Sequence, residues 1–163
     1  MPPRRPAKKQ TRSTTSNLAA RRAKYPRAVE MFLRLFGPDY GAELTAQIDQ
    51  GPTDFNAILM ERISPTVWGM NRVELRTKLL CTIAVFTALN RDDIKYFIRA
   101  ALHHGLTREE IEEVIMLAGL ESGFPAATAA RRRLNDAIDE HTAFTMQRRK
   151  LKAASKPKKK KRT

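Results

Sequence analysis

Several side chains in this sequence are of types that carry electrostatic or acid–base chemistry: the cations Arg76, Lys78 and Arg99, the proton carriers His103, His104 and Glu121, and the thiol of Cys81. An arginine fork grips a carboxylate bidentately, whereas a lysine offers a compact point charge. Imidazole and carboxyl groups pass protons. Each residue also has a plainer reading. Arg76 and Arg99 suit helix-surface ion pairs, and Lys78 suits the polar edge of an apolar helix, with its stem covered and its amine in water. His103 and His104 precede a glycine at a helix end, where the helix dipole favours positive charge. Glu121, near another helix C-terminus, is on the unfavourable side of that dipole. Trp68 suits packing or a subunit interface as well as a flat ligand. Cys81 is the only cysteine, which excludes an internal disulfide, a CxxC redox pair and a cysteine-based zinc site. On an apolar helix it reads as a small buried hydrophobe.

These groups must be positioned by helices, because apolar residues recur at spacings of three and four and long alternating runs are absent. The spacing predicts a first helix over Pro26 to Phe36 and a second over Tyr40 to Ile48, ending before Gly51-Pro52. A third is capped by Thr53 or Asp54 and buries Phe55, Ile58, Leu59 and Ile63 before Pro65 interrupts it. Asn71 and Glu74 have capping-box spacing ahead of a long helix through Leu79, Leu80, Ile83, Phe86 and Leu89, apolar enough to be central. Ile94, Phe97, Ile98, Ala101 and Leu102 line one face of the next helix, which Gly105 ends. Thr107 and Glu110 form a capping box for a helix carrying Ile111, Val114, Ile115 and Ala118, and a last helix runs from Pro125 towards Arg149. The fold class is all-α.

The net charge of +14 belongs to the ends of the chain. Residues 1 to 24 carry eight Lys/Arg and residues 148 to 163 carry ten, with no acidic residue in either; the 13 basic and 17 acidic residues between them leave a slightly acidic body. Both ends read as disordered basic tails, rich in charge and proline and poor in large apolar groups, flanking a domain over 25–147. Such tails can hold phosphates but not stack bases, so any nucleic-acid binding through them is non-specific. There is no apolar signal-peptide core and no run of the roughly 20 apolar residues that a membrane span needs, so a cytoplasmic location is expected, or a nuclear one in a eukaryote.

The run from Arg76 to Leu134 resembles the signature region of the carboxymuconolactone decarboxylase family, within the alkyl hydroperoxidase D-like superfamily. Three pieces carry the match: Arg76-Thr77-Lys78 opening a helix that ends at Thr87 to Asn90, the stretch Ile98 to Leu102 followed by Gly105 to Ile111, and Gly123-Phe124-Pro125-Ala126-Ala127. Tyr25 to Gly37, Asp54-Phe55 and Val67-Trp68-Gly69 look like the family's leading helices and the turn after them. The resemblance implies a compact multi-helix domain that assembles as a homo-trimer or homo-hexamer. It implies a lyase that needs neither cofactor nor metal and acts on a small carboxylated, lactone-like substrate. Loss of CO₂ from such a lactone leaves a dienolate, so the site must hold carboxylates, stabilise negative charge on oxygen and return a proton to carbon. On this reading Lys78, Arg99, Glu121 and His104 are catalytic, and Arg76, Trp68 and Phe97 bind substrate. The sequence departs from its relatives at Phe97, usually histidine in the decarboxylases, at Lys78, often arginine, and at Glu121-Ser122. Asn90, Asp93 and Phe97 stand where the dithiol members carry Cys-x-x-Cys and a following histidine, so dithiol peroxidase chemistry is excluded. The other reading of the chain is a non-catalytic oligomeric scaffold whose tails bind nucleic acid or another polyanion.

Overall fold

The structure, a computed structural model, describes residues 13–50 and 52–154, and every element among them is helical. They fall into two compact units that divide between Leu75 and Arg76. The parts of the expected tails at residues 1–12 and 155–163, and Gly51 of the expected turn, lie outside the described residues. Among the described residues no helix is long and apolar enough to cross a membrane.

Unit 1 contains α1 (Ser13–Lys24), α2 (Pro26–Phe36), α3 (Pro38–Leu44), a 3₁₀ segment (Thr45–Gln50), α4 (Thr53–Phe55), a π-helical segment (Asn56–Ile63) and α5 (Ser64–Gly69). The expected first helix has the observed bounds of α2, with proline at a position where its missing N–H costs nothing. Its face of Ala28, Val29, Phe32, Leu35 and Phe36 joins Tyr25, Leu44 and Ile48 in the core. Polar links hold the rest. The Glu61 carboxylate accepts the Arg27 and Ala28 backbone N–H groups at 3.0 and 2.8 Å, supplying the cap that Tyr25 does not. The buried Asn56 amide donates to the Ile48 carbonyl.

Three expectations are corrected here. Residues 13–24, read as tail, form α1. Their composition gives them little to bury, but Arg21, only 10% exposed, pairs with Asp49 and reaches Thr45, partners 24 and 28 residues away. The expected helix from Tyr40 to Ile48 is split into α3 and the 3₁₀ segment. The expected buried stripe of Phe55, Ile58 and Ile63 is exposed. That segment winds with π-helical i→i+5 bonding, so a face read at 3.6 residues per turn does not survive, and it returns to α-helix beside Pro65, which has no N–H to continue the register.

Unit 2 contains α6 (Leu75–Ala88), α7 (Ile94–His103), α8 (Arg108–Ser122) and α9 (Phe124–Ala154). Its core is Leu79 and Ile83 of α6, Ile94, Ile98, Ala100 and Ala101 of α7, Ile111 and Ile115 of α8, and Ala127, Ala130, Leu134 and Ala137 of α9. α6 is less central than its apolar character implied: Leu79, Ile83 and Thr87 form one buried line, while Cys81, Val85 and Leu89 are exposed. Cys81 is thus corrected from a buried to an exposed thiol. The stop after α7 and the start of α8 hold: Gly105 takes φ +80° beyond α7, and Thr107 and Glu110 make both bonds of the capping box that opens α8, whereas α6 begins at Leu75, after both Asn71 and Glu74 of the expected capping box. α9 begins one residue before Pro125 and passes residue 148 to reach Ala154, so residues 148–154, also read as tail, are helical. The Arg148 guanidinium lies over the Phe144 ring one turn back.

Helices α8 and α9 approach closely at Gly119, where an added Cβ would stand 2.6 Å from the Ala127 Cβ. Replacement Gly119→Ala is therefore expected to lower the free energy of urea unfolding by about 1–3 kcal/mol. Unchanged or increased stability would mean that the two helices are not held at this separation.

Candidate functional site

A gathering of titratable groups in unit 2 lies where the C-terminal half of α7 meets the middle of α9. Arg99 follows the buried Ile98 and is itself only 8% exposed at its side chain. A guanidinium keeps its charge when buried, so the fold must supply an answer to it. Glu140 accepts from Arg99 Nη1 at 3.2 Å, and the Phe144 ring lies 5.4 Å from its carbon centre. Glu140 and Phe144 are four residues apart on α9, which places them on one face, and His141 lies between them.

All three histidines of the chain belong to this region. The rings of His103 and His104 meet edge to face at 5.1 Å. Burial holds His103 below the ordinary value of 6.5, with nearby His104 adding to the effect. Burial also lowers His141, assisted by the positive charge of Arg99 and by His103. A cationic imidazole is thus disfavoured at both positions by burial, and at His141 the always-charged guanidinium of Arg99 adds to it. His104 also closes α7, its backbone N–H donating to the carbonyls of Ala100 and Ala101.

The remaining expected site residues lie elsewhere. Arg76 is paired with Glu110, a carboxylate that also accepts the Thr107 N–H at 2.8 Å. The Thr107 backbone bond is the main reason the Glu110 carboxyl is held low, with Arg76 contributing further. Lys78 is half-buried on α6. Phe97 meets Phe86 edge to face at 5.1 Å, an apolar contact at the position where the resemblance implied a histidine. Glu121 is exposed near the end of α8, thirteen residues or roughly 20 Å along the helix from Arg108, which follows the turn after His103 and His104. Trp68 belongs to unit 1, where it lines a cleft with α2. The structure therefore brings Arg99, His103 and His104 together and adds Glu140, His141 and Phe144, which the sequence reading overlooked. Their signal was present as a Glu-His pair followed by an aromatic residue at helical spacing, but Arg99 had to be seen as buried before that signal meant anything. Among the described residues no group of three or more His, Cys, Asp or Glu side chains is placed to hold a metal ion.

Residues 54–136 match the sequence profile of the Carboxymuconolactone decarboxylase family, just over half of the chain. The chain belongs to this family. A 4-carboxymuconolactone decarboxylase from Acinetobacter baylyi is 28% identical to it over 108 residues, covering 66% of this chain and 81% of that protein. The matched span contains Lys78, Phe97, Arg99, His104 and Glu121 but stops before Glu140, His141 and Phe144. The cluster around Arg99 is thus built partly from the family's region and partly from an extension of α9 beyond it.

The lowered histidines carry a consequence for stability. An imidazole whose folded pKa lies below its unfolded value binds a proton more readily after unfolding. His103 and His141 therefore contribute fully above about pH 6.5, and their contribution is lost as the pH falls below that value. The thermal midpoint should drop between pH 7.5 and pH 5, and the double variant His103→Gln/His141→Gln should show a shallower drop. Equal pH dependence in the variant and the parent protein would refute this assignment.

Proposed function

We propose that the protein is a cofactor-free lyase acting on a small carboxylated, lactone-like metabolite, and that it works as a homo-oligomer, a trimer or hexamer. The observation that carries the reading is family membership together with a relative named for 4-carboxymuconolactone decarboxylation. In this reaction the bond from the substrate carbon to its carboxylate breaks, CO₂ leaves, the electron pair moves onto the lactone carbonyl oxygen as a dienolate, and a proton returns to carbon. Half-buried Lys78 is assigned the charge on that oxygen, where partial burial strengthens its electrostatic effect. Glu121 or His104 is assigned the proton, and Arg76 and Phe97 are assigned contacts to the substrate. Arg99 is assigned a positioning role, because its charge is already met by Glu140.

The dispersion of these residues within one chain is the argument for assembly. Val85 on α6, Leu89 just beyond it, Met116, Leu117 and Leu120 on α8, and Phe124 at the start of α9 are all more than half exposed. So much apolar surface in a domain of this size calls for burial against another protein surface. Glu121 directly follows Leu120, so a sister copy seated on that face would enclose it. Sedimentation at micromolar concentration should show a trimer or hexamer, and Leu120→Glu should shift it towards monomer. A stable parent monomer would remove this part of the reading.

Activity is tested by mixing the purified full chain with 4-carboxymuconolactone and following the loss of its ultraviolet absorbance. Turnover is expected, with Lys78→Met lowering kcat/KM by about 10²-fold or more. No turnover by the parent protein would reject the decarboxylase assignment.

A second reading, the polyanion-binding scaffold, is favoured by one observation: Arg76 and Arg99, the two arginines suited to gripping a substrate carboxylate, are each matched by a carboxylate of the same chain. It predicts binding of duplex DNA in a gel-shift assay that weakens steeply with salt. Affinity that is unchanged at high salt would exclude binding by the Lys/Arg-rich ends.

A further inference from the structure

Unit 1 contains a cleft of about 410 Å³ between α2 and α5, within the size range of small-molecule sites. Met31 and Leu35 of α2 and Pro65 and Trp68 of α5 give it an apolar lining, and Arg27, Glu30 and Arg34 add charge. Glu30 is turned to other work, paired with Arg22 at 2.8 Å. The Arg27 guanidinium donates Nη2 to Thr66 Oγ1 at 2.8 Å, a neutral acceptor, and among the described residues no carboxylate lies within ion-pair distance of it. Thr66 in turn donates its hydroxyl to the Arg62 carbonyl, so it is oriented as an acceptor towards Arg27. One of five guanidinium N–H donors is thereby used and the fork is steadied, leaving others for a ligand. The Glu61 carboxylate nearby is occupied by the backbone N–H groups of Arg27 and Ala28.

A partly exposed indole, a proline ring and two aliphatic side chains favour a flat apolar body, and a cation with a neutral partner favours an anionic end. We propose that this cleft binds a small flat carboxylate of the aromatic-acid type, its ring against Trp68 and its carboxylate on Arg27. The site uses residues of unit 1 alone, so it stands or falls separately from the lyase chemistry assigned to Lys78 and Glu121 in unit 2. Only Trp68 is of the sequence-derived site residues, and Arg27 has no part in that chemistry. Five of the cleft residues, Arg27, Glu30, Met31, Arg34 and Leu35, precede the span matched to the family.

Trp68 is the only tryptophan in the chain, so its indole Nε1–H gives a single resonance in a nitrogen-15 spectrum of the full chain. Benzoate is the probe and benzamide its uncharged counterpart. Benzoate should move the indole resonance saturably, and benzamide should bind more weakly. Arg27→Gln should weaken benzoate binding roughly tenfold, as expected for loss of a charge-assisted contact, while Arg27→Lys should recover part of it. Lys78→Met should leave benzoate binding unchanged. Absence of a saturable benzoate shift would overturn the proposal, as would equal affinity for benzamide or an unaltered affinity in Arg27→Gln. An indole resonance that follows protein concentration and ignores benzoate would mean that a second copy fills the cleft, and would overturn it too.

Discussion

Arg99 is buried on α7 between Ile98 and Ala100 in sequence, so its charge has to be met, and α9 meets it. Glu140 supplies the opposite charge and Phe144 a ring face. Both stand on α9 beyond the small-residue stretch Ala127, Ala130 and Ala137 that packs in the core. The need to satisfy one buried cation therefore extends the useful length of α9 past the hydrophobic core. Beside that cation, burial holds His103 and His141 towards their neutral forms, with His104 adding to the effect at His103 and the Arg99 charge adding to it at His141.

The two units are held by different means. In unit 2 the helices pack through small residues and defined ends. Gly119 lets α8 lie against Ala127, Gly105 turns the chain after α7, and the reciprocal bonds of Thr107 and Glu110 start α8. In unit 1 the aromatic and aliphatic face of α2 is supplemented by polar links over long sequence separations, from Glu61 to the α2 N-terminus, from Asn56 to Ile48 and from Arg21 to Asp49. These links explain how a π-helical segment with exposed Ile58 and Ile63 still belongs to a compact unit. Its contribution to unit 1 includes a carboxylate and an amide as well as apolar surface.

Family membership and local geometry illuminate different parts of the function. The matched span carries Lys78, Phe97 and Glu121, and it places the chain in its family. Phe97 packs on Phe86, so this position contributes apolar contact and no proton transfer. The exposed apolar residues of α6, α8 and the start of α9 are the feature on which the proposed assembly rests.

Local signals in the sequence determined the helical class, the bounds of α2, the glycine stop after α7 and the capping box of α8. Each depends on residues within a few positions of one another, through 3.6-residue periodicity, a positive φ or an N-terminal hydrogen bond. The cation and proton-carrying residues of α6 to α8 were legible for the same reason, as short motifs. Only the tertiary structure decided which of them meet. Arg99 looked like a surface cation until α9 covered it, Cys81 looked buried until α6 proved one-sided, and residues 13–24 looked like tail until Arg21 found Asp49. Burial and ion pairing between residues tens of positions apart are properties of the packed chain, and local composition carries no record of them.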